Sequence, residues 1–154
     1  MQESKIVTGM IAVGLVAYFI YLLFFTTHIG PANKDMLKNT KYAVGIVTSA
    51  YYTNRGRSGN DITFMYDGGH IVRTNVNGEF TKYRKYLVAF DSVNIENGFI
   101  VLEKYDITDS LIQHKIYPKY TMYEETWSLP DIPFQYDKSD IEYDLKMAYE
   151  EDFR

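Results

Sequence analysis

Twenty consecutive residues, Ile6 to Phe25, carry no charge. A helix of roughly 20 apolar residues crosses the hydrocarbon core of a bilayer, and it satisfies its own backbone hydrogen bonds, which lipid cannot do. The run therefore predicts an N-terminal transmembrane helix and leaves the rest of the chain to fold outside the bilayer. A buried core helix is usually shorter. A cleaved signal peptide has a basic start, a shorter apolar stretch and small residues before the cut. Here Lys5 is the only basic side chain before the run, and the run ends in Leu22-Leu23-Phe24-Phe25 with no Ala-x-Ala site. The chain has no cysteine, so a lipid-modified cysteine anchor is excluded. An uncleaved anchor fits best, with Tyr18, Tyr21, Phe24 and Phe25 as aromatic anchors at the membrane–water boundary. Gly9 and Gly14 are not at GxxxG spacing, so pairing of spans is not indicated.

The protein is thus expected in a membrane as a single-pass protein. Lys34, Lys38 and Lys41 follow the run, and counting positive charges puts the globular part in the cytoplasm. A short tail before one span is also a common way to export a domain, so the flanks leave the side open.

The chain divides into a tail and span (1–27), a juxtamembrane linker (28–40), a small antiparallel β-domain (41–116) and an aromatic, proline-containing acidic tail ending in a helix (117–154). The 15 tyrosines suit a β-rich domain, where aromatics pack on half-buried pleated surfaces, and also a binding surface. Charge is uneven: 124–154 holds ten acidic and three basic side chains, while 1–123 holds ten and thirteen. The acidic end either docks on the more basic part or stays solvated. No run is basic enough for nucleic acid.

Pro31 is placed to open a helical turn through Leu37. Strands are predicted at 41–53, 61–66, 70–76, 85–91 and 99–104. In them Tyr42, Val44, Ile46 and Thr48 share a face, as do Ile62, Phe64 and Tyr66, and Tyr86, Val88 and Phe90 oppose Leu87 and Ala89. Residues 54–60 read as a mobile loop. Asn77-Gly78 is a strong hairpin signal, because both central residues of a type I′ turn need positive φ; residues 79–83 would return as its second arm. A second turn is expected at Asn97-Gly98. The expected fold is mainly β: a small antiparallel β-sheet or partly closed β-barrel, OB-like or SH3-like, with a short C-terminal helix. One helical turn is predicted at 108–113 and extended chain at 117–136. In the helix at 139–153, Ser139 and Glu142 would form a capping box, and Ile141, Leu145, Ala148 and Tyr149 would share a face.

Chemistry-bearing motifs are few. His28, His70 and His114 stand alone, without a second metal ligand at usable spacing. Arg55-Gly56-Arg57-Ser58-Gly59 lacks the Lys-Ser/Thr of a phosphate loop. No nucleophile elbow or zinc-protease motif is present. Asp140, Glu142 and Asp144 read as a solvated helix face rather than acid–base catalysts. No catalytic, cofactor or metal residue is therefore assigned. Arg55 and Arg57 are candidates for contact with lipid headgroups. Trp127, Phe134, Tyr136 and Tyr149 are candidates for contact with a protein partner, because Trp and Tyr often anchor interfaces.

The stretches Lys41–Thr48, Asp61–Tyr66, Tyr86–Asp91 and Asn97–Leu102 together resemble a group of small bacterial membrane proteins of unknown function, over residues 1–112. The resemblance implies one N-terminal span followed by a β-domain. Phe80, Ser92-Val93-Asn94 and the longer tail after Tyr117 depart from the pattern. The expected function is that of a non-enzymatic membrane-anchored binding protein, an accessory or scaffold subunit of an envelope complex. The alternative is an immunity or inhibitor protein that meets a toxin at the membrane, its acidic tail attracting a basic partner.

Overall fold

A computed structural model describes residues 11, 13–18, 29–54, 56–66, 69–120, 125–126 and 137–152. Of the expected span, 11 and 13–18 are helical and exposed, and the remainder lies outside the described residues. No helix among the described residues is long and apolar enough to cross a membrane.

The domain is a sheet of antiparallel strands: β1 (Thr40–Val47), β2 (Tyr52–Asn54), β3 (Arg57–Tyr66), β4 (His70–Val76), β5 (Lys85–Asp91) and β6 (Phe99–Asp106). Residues 62–64 of β3 pair with β1 and also with β4, so these two strands flank β3 on opposite edges. β2 resumes the line of β1 after a break at 48–51. Across that break the Thr48 N–H donates to the Asp61 carbonyl at 2.8 Å, and the Asp61 N–H donates to Ser49 Oγ at 2.8 Å. Of the residues expected as a loop at 54–60, Arg57 to Asn60 instead belong to β3, and Asn54 of β2 pairs with Arg57. β1 pairs on its other edge with β5, and β5 with β6. The order across the sheet is therefore β4-β3-β1-β5-β6, curled into a half-barrel whose open side lies between β4 and β6.

The predicted alternation holds. Ala43, Ile62, Phe64, Val72, Val88 and Phe90 point into the half-barrel, joined by Ile95 and, partly buried, Ile29 and Phe99. Leu87, Ala89, Ile100 and Leu102 point outward, where they would be solvated without cover. Two helices supply it. Helix α1 (Thr108–Gln113) lays Leu111, with Ile107 just before it, against Val44. Helix α2 (Lys138–Asp152) lays Ile141 and Leu145 over Leu87, Ala89, Ile100, Leu102 and Tyr105, flanked by Ala148 and Tyr149. The acidic helix is thus docked, on the face its spacing marked.

Asp137, not Ser139, caps α2. Its carboxylate accepts the Ser139 N–H at 2.9 Å and the Ser139 hydroxyl at 2.8 Å, which holds its pKa below the usual carboxylate range and suits the positive end of the helix.

The Asn77-Gly78 hairpin does not form. Gly78 has φ 151°, but Asn77 is not among the positive-φ residues, so no type I′ turn results. Residues 77–84 cross instead from β4 to β5. Packing explains this: Phe80 is buried edge-to-face on Tyr86, with ring centroids 5.1 Å apart, and the Glu79 N–H donates to Glu103 Oε1 at 2.9 Å. Among its described residues the tail pairs β7 (Lys119–Tyr120) with β8 (Glu125–Thr126).

Candidate functional site

A groove follows β6 along the open side of the half-barrel. Its walls are the end of β4 with the crossing segment (Val76, Asn77, Phe80), β6 itself, and one flank of α2 (Tyr143, Asp144, Met147, Ala148), and it encloses about 540 Å³. Docking by Ile141 and Leu145 turns Tyr143 and Met147, four residues apart, toward the groove. They stay 64% and 37% exposed, against 3% for Leu145.

The rim is acidic. Asp144 accepts Lys104 Nζ at 2.7 Å and the Tyr105 hydroxyl at 2.8 Å; these bonds outweigh its partial burial and lower its pKa. Glu103 of β6 also lines the groove, Glu79 lies with it in an adjoining pocket, and Asp140 stands one turn before Asp144 on α2.

Among the described residues β6 is the end strand of the sheet, but its edge is guarded. Leu87 pairs with Leu102 and the next residue back, Tyr86, with Asp106, so residues 103–105 bulge out of register. Bulges and charged side chains are the usual devices that keep an edge from pairing with another strand, and Glu103 and Lys104 supply the charge. The groove therefore offers side-chain contacts, to Phe80, Phe99, Val101, Tyr143 and Met147, more than a free ladder.

A second feature lies at the end where β5 turns into β6. Asp91 is 1% exposed and accepts the Val93 and Asn94 N–H groups at 2.7 and 3.1 Å and Asn97 Nδ2 at 2.7 Å. Burial opposes its charge, yet the three bonds prevail and its pKa falls below the ordinary value. Asn97 Oδ1 in turn accepts Asn33 Nδ2 at 3.0 Å, while Asn33 Oδ1 takes the Asp35 and Met36 N–H groups. Two backbone bonds complete the clamp: Gly30 N–H to the Glu96 carbonyl at 3.2 Å and Asn33 N–H to the Asn97 carbonyl at 3.0 Å. Asn33 also explains why the helical turn expected after Pro31 starts only at Met36, as a 3₁₀ turn over Met36–Lys38.

The proposed contact residues are scattered. Trp127, Phe134 and Tyr136 lie outside the described residues, as do Arg55, Tyr21, Phe24 and Phe25. Tyr18 is helical and 57% exposed. Tyr149 packs partly buried against the cluster under α2 and is not a free surface ring. Arg57 is exposed at the start of β3, paired with Asn54 of β2. His70 stacks on Tyr66 with centroids 5.5 Å apart. Among the described residues no group of His, Cys, Asp or Glu is arranged to hold a metal. Comparison with protein-family profiles, curated proteins and solved structures finds no match.

Tyr143 and Met147 were not singled out from sequence. Their signal was available: two large side chains at i, i+4, on α2 but off the Ile141–Leu145–Ala148 stripe, are left over once the buried face is assigned.

Proposed function

We propose that the protein is a membrane-anchored, non-enzymatic binding protein, an accessory or scaffold subunit of an envelope complex, that takes a partner protein in the groove along β6. The carrying observation is the exposure of Tyr143 and Met147 on the wall of a 540 Å³ groove. Large apolar and aromatic side chains left in a concavity with a polar rim suit a protein anchor better than solvent. The N-terminal run Ile6–Phe25 supplies the membrane attachment by its length and lack of charge.

Co-purification of full-length protein from its native membrane in mild detergent tests this. A stoichiometric partner retained by wild type and by Ile112→Ser, whose side chain is 70% exposed on α1, but lost with Tyr143→Ala/Met147→Ala supports the reading. Equal retention by all three, or no partner in several detergents, overturns it. The acidic rim of Glu79, Glu103, Asp140 and Asp144 favours a second version, an inhibitor that captures a basic toxin. In that case association slows steeply as salt is raised.

A further inference from the structure

The clamp between linker and turn fixes where the domain stands relative to the apolar run. Ile29 is packed into the interior cluster of the half-barrel, and Gly30 to Asn33 are bonded to residues 96 and 97. Gly98 has φ 92°, and a Cβ there would collide with the Ala32 backbone; a Cβ on Gly30 would lie 2.6 Å from the Glu96 carbonyl oxygen. The two segments touch backbone to backbone, so the first described linker residue cannot pay out as a free tether.

Chain length does the rest. Only residues 26–28 separate Phe25 from Ile29, and four Cα steps reach at most about 14 Å even when fully extended. If Phe25 ends the span, Ile29 lies within about 14 Å of the hydrocarbon edge, of which headgroups fill roughly 5–8 Å. The end of the barrel that holds Ile29 has no room to stand clear of the bilayer. That end carries the 92–98 turn, in which Val93 is 77% exposed while the Asp91 carboxylate holds its backbone rigid. Along β1, seven steps from Thr40, which pairs with Asp91, to Val47, which pairs with Ile62, cover about 23 Å, and Arg57 lies five residues beyond Ile62 on β3.

We infer that the β5–β6 turn is seated in the headgroup layer, with Val93 as its apolar tip, and that the β2–β3 hairpin with Arg57 points away from the membrane. This rests on the reading of Ile6–Phe25 as a span. It reverses the sequence-based expectation that Arg55 and Arg57 meet the headgroups, and it leaves the β6 groove alongside the barrel, open to a partner in the same membrane.

Because the chain has no cysteine, single labels are clean. Full-length Val93→Cys, Glu96→Cys, Thr53→Cys and Val13→Cys, each carrying an environment-sensitive fluorophore, are reconstituted in vesicles of mixed phosphatidylcholine and phosphatidylglycerol. Quenching by spin-labelled lipid is then read, with the label at the headgroup or at the acyl-chain centre. The expected result is loss of most emission at 93 and 96 with the headgroup label, none at 53, and strong quenching at 13 with the acyl label. Position 96 keeps the test valid if the label at 93 disturbs the turn. Quenching at 13 but not at 93 or 96, or equal quenching at 53 and 93, overturns the seating while the span stands. No quenching at 13 removes the span and the seating together.

Discussion

Leu145→Ala tests whether α2 belongs to the cooperative core or merely rests on it. Leu145 is 3% exposed and packs in the cluster of Leu87, Ala89, Ile100, Leu102, Tyr105 and Ile141. Truncating a buried leucine costs about 2.7–5 kcal/mol, rising with the volume left unfilled. A domain of roughly 120 residues has an unfolding entropy of about 0.25 kcal/mol/K near its midpoint, so this cost lowers Tm by about 11–20 °C. Thermal unfolding of full-length protein in detergent, followed by near-UV dichroism of the tyrosines and far-UV dichroism of the helices, reads the effect. Met147→Ala, two residues on and on the exposed flank, is the control, with an expected effect within about 0.5 kcal/mol. A single transition shifted by the stated amount supports the account. A fall of less than about 4 °C, or helical signal lost in an earlier separate transition, would refute the claim that α2 is integral to the sheet.

Three further outcomes are expected. Asp91→Ala, which removes the acceptor of three bonds, should cost on the order of 3 kcal/mol. Because the folded pKa of Asp91 is depressed, the unfolded chain binds more protons in acid. Its stabilisation is present above the unfolded value of about 3.9 and is lost as pH falls through the folded value; denaturant titrations from pH 6 to 2 should show a shallower acid loss in Asp91→Asn than in wild type. Gly98→Ala forces a side chain into φ 92° against Ala32 and should cost at least about 2 kcal/mol, with amide exchange at Gly30 and Asn33 accelerating first; unchanged exchange there would mean the clamp is not closed. Asn60 is fully buried and donates to the Ser49 and Phe80 carbonyls, both at 3.2 Å, so Asn60→Ala should lose about 2 kcal/mol in urea unfolding, and a neutral result would show that the 48–51 break and the 77–84 crossing do not depend on it.

The parts legible in the sequence are those set by local pattern. Alternation sorted the residues of β3 and β5 onto their two faces, while on β1 the named face of Tyr42 and Val44 is the one turned outward and Ala43 and Val47 face the interior; the spacing of Ile141, Leu145, Ala148 and Tyr149 marked the buried stripe of α2, because period and burial share one geometric cause. His70–Val76 and Thr108–Gln113 coincide with their predicted limits. What failed was set by distant partners. Asn77-Gly78 has the chemistry of a hairpin, but Phe80 and Glu103 draw the chain across to β5. Asp137 outcompetes Ser139 as a cap because the helix begins two residues earlier than the capping box requires. The Asn33–Asn97 contact spans 64 residues, and nothing local announces it. The groove was hidden for the same reason: Tyr143 and Met147 acquire meaning only once α2 is laid beside β6.

The central claim is that the face formed by β6 and α2 receives a partner protein at the membrane. The most direct measurement places a photo-crosslinking amino acid at position 147, and in a second variant at position 112, in full-length protein in its native membrane. The account predicts one discrete crosslinked species from position 147, absent from 112 and suppressed by Tyr143→Ala. No adduct at 147, or the same adducts from both positions, would contradict it.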